Sequence, residues 1–389
     1  MDVGVTSYLS YAITVLLLLV ISIFLVNREI KNVGISTVLI IIKYSLSITY
    51  FGYWCDKFPI MLRDDIVYYQ NSLSIYHKLN GNLFNLFSKD MFLYMGMLAG
   101  GSHFGFYIFN CIGFFLMGES AYAPIFLNLG CSTLTALILY KTFLQTNVNK
   151  IVAILYLCFL LIQWDLIAWS SFINLKDTFV LLNLSAGMYC MIKLQSKFHF
   201  KYLLVLLLVI FVFLFVRFYL SYFLLLISFL YFFLLRLKRI ESKYMGLIMK
   251  GFIFLVLPVL FYIAFRVLFS AKLAVIGGMS NPIIGFPRYL ITPFPFNISS
   301  EYKFIFIPSI LHWLILPFMV YGFYVICSRY LYAVMPLLLL FVFLGVFYGS
   351  FPELQGPRHR IPLLGLISLC QFLGLYEFIK QVCYKLKLA

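Results

Sequence analysis

The chain has 389 residues, of which 64% are hydrophobic and only 11% charged, with a formal net charge of +16. Soluble domains carry about 25% charged residues, so this composition excludes a water-soluble protein. The basic residues separate hydrophobic runs and form no stripe. They indicate membrane topology rather than nucleic-acid binding, and no nucleic acid is expected as a partner. The eight cysteines are scattered without metal-binding spacing and predict no disulfide framework.

Apolar runs long enough to cross a bilayer core of about 30 Å recur along the whole chain. They predict an all-α polytopic membrane protein with about 11–12 transmembrane helices, built as a single integral membrane domain over residues 1–389. The run at 8–26 lacks a basic n-region before it and a small-residue cleavage site, so we expect a retained span rather than a signal peptide. The predicted spans are 8–26, 34–53, 123–143, 151–168, 178–195, 202–218, 219–235, 247–269, 304–327, 331–349 and 361–379.

Only residues 53–92 and 270–303 leave room for long loops between the spans. Basic loops favour the cytoplasmic side, and this rule places 53–92 outside as a first loop of short interfacial helices. A further apolar stretch, 92–118, is broken by Gly100-Gly101-Ser102. Only one crossing fits between 53–92 and the basic linker at 141–150, so we expect this stretch to lie in the interface or to re-enter.

Two adjacent carboxylates, Asp64 and Asp65, follow Arg63 in the first outer loop. Such a pair is costly in a membrane protein unless it is solvated, binds a cation or takes part in chemistry. Both are candidate catalytic residues, since one can act as general base toward a sugar hydroxyl. Together they are also candidate ligands for a divalent cation, Mg²⁺ or Mn²⁺, held against a phosphate. A solvated loop with an arginine counter-ion is the alternative interpretation.

The other charges expected on the outer side are mainly basic. Arginine grips phosphate oxygens bidentately, so a phosphate-bearing ligand is indicated. Each segment also has a structural alternative: a capped turn for 169–177, an interfacial aromatic-proline anchor for 287–296 and a flanking anchor for 356–362. The predicted phosphate ligands are Lys176, Arg217, Arg358, His359 and Arg360, with Asp177 and Arg288 as supporting residues.

Together these motifs resemble the GT-C superfamily of membrane glycosyltransferases, which use polyprenyl-linked sugar donors. The acidic pair of that family's first outer loop is similar to Asp64-Asp65. A segment ending in a Gly-x-Ser turn before a helix is similar to 115–120. A Ser-rich turn with Lys-Asp is similar to 169–177, and a terminal Arg-x-Arg-x-Pro is similar to 358–362. The order and spacing of these motifs cover most of residues 50–375.

The chain departs from the GT-C pattern in two ways: an extra span precedes the acidic loop, and no large periplasmic domain follows. Its aromatic-rich composition and size also resemble O-antigen or capsule repeat-unit polymerases. These resemblances imply a polymerase of surface polysaccharide in the bacterial inner membrane, with its active site facing the periplasm. The implied partners are a polyprenyl-(di)phosphate-linked saccharide donor, a saccharide acceptor, membrane lipid and polysaccharide-assembly proteins.

Two other functions stay open at this point. One is transfer of a single sugar from a polyprenyl monophosphate, and the other is a flippase or transporter for lipid-linked oligosaccharides. Transporters tend to show internal repeats and ionisable residues at mid-membrane. The two halves of this chain show no repeat, and the few ionisable residues expected at depth are Lys43, Asp165 and Arg266.

Overall fold

A computed structural model describes residues 8–60, 62–99, 103–238, 245–263, 281–351 and 355–388. All regular structure within these ranges is helical, which confirms the all-α prediction. Within these ranges, seven helices are long and apolar enough to cross a membrane, fewer than the 11–12 spans predicted, and four shorter apolar helices accompany them. The chain therefore folds as a multi-pass membrane protein. Arg266 and the glycine break at 100–102 lie outside the described residues.

The helices follow one another as the hydrophobic runs predict. They are α1 (Tyr8–Ile30), α2 (Val33–Thr49), α3 (Arg63–Lys78), α4 (Lys89–Ala99), α5 (Phe104–Met117), α6 (Tyr122–Leu144), α7 (Lys150–Ile162), α8 (Trp164–Ser171), α9 (Asp177–Ser196), α10 (Phe200–Val216), α11 (Phe218–Lys238), α12 (Met245–Gly251), α13 (Pro282–Ile291), α14 (Phe306–Val325), α15 (Met335–Gly349) and α16 (Leu364–Leu388). Shorter 3₁₀ turns cover Leu83–Phe87, Ser300–Ile305 and Pro357–Leu363.

Polar side chains set several helix starts. Asn149 accepts a hydrogen bond from the Ile151 amide at the start of α7. Gln163 accepts one from the Leu166 amide at 2.7 Å, where α7 ends and α8 begins. Such caps satisfy amide groups that have no partner inside the helix. The predicted span 151–168 is therefore two helices separated by a capped break at Gln163.

One end of the helix bundle is rich in basic residues. Here the Lys141 ammonium lies 3.2 Å from the Glu29 carboxylate and joins the ends of α6 and α1. Lys193 of α9 donates to the Gln145 side chain at 2.8 Å. We call this the basic end. The starts of α1 and α6 meet at the opposite end, where the rings of Tyr11 and Tyr122 lie 5.2 Å apart. That end is named the cluster end, after the charges described below.

Helix α5 begins and finishes at the cluster end. The ring of His103, which precedes the helix, lies 3.0 Å from the carbonyl oxygen of Val216 at the end of α10. The carbonyl of Met117, its last residue, accepts from Ser10 near the start of α1 at 3.4 Å. Helix α5 therefore does not run the length of the bundle, which is the path expected for a stretch with a glycine break.

Helices α14 and α16 pack in backbone contact. A methyl group added at Gly322 would lie 1.8 Å from the Cys370 carbonyl oxygen, and one at Gly374 would lie 1.8 Å from the Phe318 carbonyl oxygen. Small residues permit such close approach between membrane helices. This contact fixes the position of α16 and of the turn Pro357–Leu363 that leads into it.

Candidate active site

The acidic pair opens α3, where carboxylates are favoured by the helix dipole. Successive residues of an α-helix point about 100° apart, so the two side chains diverge. The Asp64 side chain is 51% exposed, whereas Asp65 is only 7% exposed. The Asp65 carboxylate is hydrogen-bonded to the backbone of Asn174 in the loop before α9. The two carboxylates therefore occupy different environments.

Arg358 joins the first outer loop to α9. Its guanidinium forms an ion pair with Asp64 and donates through Nε to Oδ2 of Asp177 at 2.7 Å. The other oxygen of Asp177 accepts from Arg217 at 2.5 Å. Asp177 and Arg217 are almost completely buried. With the adjacent Lys176, these residues form what we call the charge cluster: Asp64, Lys176, Asp177, Arg217 and Arg358.

Tyrosines close the inner side of the charge cluster. Arg217 donates to the Tyr348 hydroxyl at 3.4 Å, and that hydroxyl lies 2.8 Å from the hydroxyl of Tyr219. Tyr289 donates to the carbonyl of His359 at 2.5 Å. Tyr348 and Tyr289 are buried, whereas Asp64 is half-exposed. The charge cluster is therefore most accessible at Asp64.

The surroundings shift the pKa of each carboxyl differently. Burial opposes ionisation of Asp177, but Arg217 and Arg358 outweigh it and hold the pKa of that carboxyl well below its usual range. Burial acts likewise on Asp64, where the hydrogen bond and charge of Arg358 lower the pKa. Burial raises the pKa of Asp65 to about 7. Asp64 is thus held as a carboxylate, whereas Asp65 gains a proton near neutral pH.

Lys176 lies against His103, a residue that the sequence marks only as an isolated histidine. The Lys176 ammonium nitrogen is 2.7 Å from Nδ1 and 3.2 Å from Nε2 of the His103 ring. It also lies 5.5 Å from the centre of the Tyr68 ring. His103 adopts a left-handed backbone with φ of 68°, which is uncommon for a residue with a side chain. No sequence signal links two residues 73 positions apart.

Both members of this pair are weakened as bases. Burial and the charge of Arg217 lower the pKa of Lys176 to about 6. Burial and the charge of Lys176 lower the pKa of His103 to about 4. Both side chains therefore bind their extra proton weakly, because their surroundings are buried and already cationic.

Arg360 lies apart from the charge cluster. Its guanidinium is 3.4 Å from Asp165 and donates to the carbonyls of Leu290 and Thr292 at 3.3 and 2.9 Å. Both members of the Arg360–Asp165 pair are 3% exposed. The predicted phosphate ligand Arg360 is thus committed to buried contacts within the protein.

Two further predicted residues also stand outside the charge cluster. The His359 ring packs 5.2 Å from that of Tyr348 on the buried side. Arg288 is exposed and forms no ion pair with any described residue. The structure therefore brings together Asp64, Lys176, Asp177, Arg217 and Arg358, but not Arg288 or Arg360.

The predicted divalent-cation site does not fit this arrangement. Asp64 is bound to Arg358 and Asp65 to Asn174, so the two carboxylates share no pocket. Across the described ranges, no three His, Cys, Asp or Glu side chains gather closely enough to hold a metal ion.

A cavity of about 1000 Å³ lies between the helical segment Leu247–Ile263 and helices α13 to α16. Its lining is almost entirely apolar and includes Phe286, Leu290, Phe323 and Val346. The carbonyl of Leu290 accepts from Arg360, so the cavity lies near the buried Arg360–Asp165 pair.

No protein-family model, no curated protein and no solved structure matches this chain.

Proposed function

We propose that this protein is a membrane glycosyltransferase that uses a polyprenyl-(di)phosphate-linked sugar donor, as a repeat-unit polymerase in bacterial surface-polysaccharide assembly. The observation that carries the proposal is the position of Arg358. It binds the half-exposed Asp64 and the buried Asp177 at once, at the end of the bundle opposite the basic residues. A carboxylate and cations thus lie side by side. Sugar transfer needs the carboxylate as a base for the acceptor hydroxyl and the cations as ligands of the donor phosphate.

The charge balance supports binding of a phosphate. The charge cluster holds two carboxylates against two guanidiniums and one amine. Both guanidiniums share Asp177, and across the described residues no carboxylate oxygen lies within 4.0 Å of the Lys176 ammonium. Buried cations require partners. A phosphate entering beside Asp64 would supply one for Lys176 and a second one for Arg358.

The proposed transfer uses Asp64 as general base. Its carboxylate takes the proton of the acceptor hydroxyl, and the hydroxyl oxygen bonds to C1 of the donor sugar. The bond from C1 to the phosphate oxygen breaks, and its electron pair leaves with the phosphate. Arg358 and Lys176 stabilise the leaving charge. When the phosphate draws Arg358 away, the pKa of Asp64 rises from its lowered value, which makes Asp64 a stronger base.

In this proposal, the apolar cavity holds the lipid part of the donor. The apolar cavity is lined by Leu290, whose carbonyl accepts from Arg360 at the cluster end of the bundle. A water-sized group occupies about 30 Å³, so the cavity has room for on the order of 30 such groups. A polyprenyl chain in the cavity would place its phosphate near the cluster end. The basic end then faces the cytoplasm, and the cluster end faces the periplasm.

A lipid-oligosaccharide flippase is the second candidate function, and Lys43 is the observation that favours it. Lys43 lies within α2, is fully buried, and its ammonium has no hydrogen-bond partner among the described residues. Ionisable residues inside membrane segments often mark transport pathways. One buried lysine is weaker evidence for a function than the assembled charge cluster, so the flippase is the second candidate.

The test is the length distribution of surface polysaccharide in a deletion strain complemented with variants. Asp64→Asn and Arg358→Ala are compared with wild type, and membrane levels are matched by immunoblot. Glu119→Gln, which removes an exposed carboxylate paired with His77, is the control. Single repeat units with either site variant, and normal chains with the control, support polymerisation.

Other outcomes separate the alternatives. A uniformly truncated repeat unit indicates transfer of a single sugar. Normal chains from both site variants, combined with complete loss of surface polysaccharide in Lys43→Met, overturn the glycosyltransferase and favour the flippase.

A further inference from the structure

His103 and Lys176 are two basic side chains in direct contact. The lysine nitrogen lies 2.7 Å from His103 Nδ1, and that same Nδ1 lies 3.0 Å from the carbonyl oxygen of Val216. Lys176 is 3% exposed. A buried lysine that contacts another base, with no acidic side chain between the two, is unusual.

Proton positions restrict this contact. A lysine ammonium only donates, and an imidazole nitrogen that already carries a proton cannot accept. When His103 Nδ1 donates to the Val216 carbonyl, Nε2 is the ring nitrogen without a proton, and it can accept from a charged Lys176 ammonium at 3.2 Å. The contact can therefore hold one extra proton on Lys176 without loss of the bond to Val216.

Charged groups surround the pair on every packed element. Arg217 and Arg358 are cations in direct contact with the Asp177 carboxylate. Asp64 and the Tyr68 hydroxyl come from α3. The buried ring of His359 lies on the far side. The two arginines keep the pair short of protons, and Asp64 is already bound to Arg358.

We propose, resting on the function proposed above, that the His103–Lys176 pair takes up one proton when the donor's phosphate binds beside Arg358. An anion next to the Lys176 nitrogen favours its charged form. His103 then accepts from the charged Lys176 through Nε2, while Nδ1 keeps its bond to the Val216 carbonyl. His103 is a positioning residue here, because it acts through the lysine and has no contact of its own with the donor.

The direction of the pH effect follows from linkage. The free pair loses its proton as the pH rises through about 6, whereas the occupied pair retains it to higher pH. Binding above about pH 6 must therefore draw a proton from solvent. The affinity falls by a factor approaching about ten for each pH unit until the occupied pair also loses its proton.

The experiment is calorimetric titration of the purified full chain in detergent with farnesyl-diphosphoglucose. Each phosphate of this probe carries one ester bond and the shared anhydride bond and keeps only a strongly acidic group, so the probe itself does not titrate near neutral pH. Titrations at pH 7 in two buffers of different ionisation enthalpy give the number of protons taken up directly. The expected result is about one proton per probe bound, and loss of that uptake in both His103→Asn and Lys176→Met.

The controls separate this proposal from the function on which it rests. His77→Asn, an exposed histidine at the same end, should keep the uptake. Probe binding without proton uptake in wild type overturns the proton-sharing pair and leaves the phosphate site intact, whatever the variants do. Uptake that persists in both variants also overturns it. No binding to wild type overturns the phosphate site and the pair together.

Discussion

Arg217 and Arg358 bind the two oxygens of one carboxylate, that of Asp177. The contacts are 2.5 Å to Oδ1 and 2.7 Å to Oδ2. This single side chain ties the α10–α11 junction and the turn before α16 to the start of α9. The geometry of the charge cluster therefore depends on Asp177, although Asp64 is its exposed member.

Replacing Asp177 with Asn should destabilise the protein strongly. Breaking a buried ion pair by removing one partner costs about 3–5 kcal/mol, because it leaves Arg217 and Arg358 without their shared anion. The measurement is the apparent melting temperature in detergent, with Glu119→Gln as the exposed control. A melting temperature equal to that of the control would show that the bridge adds little to the fold.

The Asp65→Asn variant should alter how stability depends on pH. The folded pKa of Asp65 is raised to about 7, above an unfolded value of about 3.9. The folded state then holds an extra proton between these values, so wild-type stability falls as pH rises from about 4 to about 7. Asn cannot titrate, so the variant's deficit relative to wild type should be largest near pH 5 and shrink by pH 8.

Melting curves from pH 5 to pH 8 test this expectation, with the exposed Asp56→Asn as the matched control. A deficit that stays constant from pH 5 to pH 8 would mean that Asp65 is ionised in the folded protein throughout this range.

Arg360 and Asp165 should behave as a structural pair. Arg360→Met or Asp165→Leu alone leaves a buried charge without its partner, and each should lower stability by about 3–5 kcal/mol. The double variant should lose clearly less than the sum, since both charges are gone. Two carbonyls still lose their donor, so recovery should be partial. A double-mutant cycle on melting temperature checks this, and strict additivity would contradict the pairing.

Gly322→Ala should separate α14 from α16. The added methyl group would lie 1.8 Å from the Cys370 carbonyl oxygen, and overpacking of this kind costs about 1–3 kcal/mol or more. Gly130→Ala is the matched control, because a methyl group there meets no atom within 4 Å. A large loss of melting temperature in the first variant and none in the second is expected. Equal effects would mean that the two helices shift apart readily.

Sequence reasoning predicted the helical architecture well because hydrophobic length alone decides it. The charge cluster was predicted in part, since Asp64, Asp177 and Arg358 carry charge that an apolar chain must compensate. The sequence pattern does not predict in which direction each charged side chain points. Arg358 and Arg360 are two positions apart in a 3₁₀ turn of about three residues per turn. They therefore point in different directions, one into the charge cluster and the other toward Asp165.

His103 shows the limit of the sequence signal more sharply. In the sequence, His103 stands apart from the charged motifs, and no neighbour along the chain indicates a role for it. Its partners, Lys176 and Val216, are distant along the chain and meet it only through the packing of α5 against α10. Left-handed backbone at a non-glycine position is likewise visible only in three dimensions.

Because α5 begins and finishes at the cluster end, the first and last described residues emerge at opposite ends of the bundle. Tyr11 of α1 lies at the cluster end. Tyr330 packs on Phe143 at the basic end, where Arg329 pairs with Glu377 of α16 at 2.8 Å. Reporter fusions placed before residue 8 and after residue 388 would accordingly report opposite compartments. With the proposed orientation, a protease added to spheroplasts, which lack the outer membrane barrier, should cleave the first fusion and spare the second.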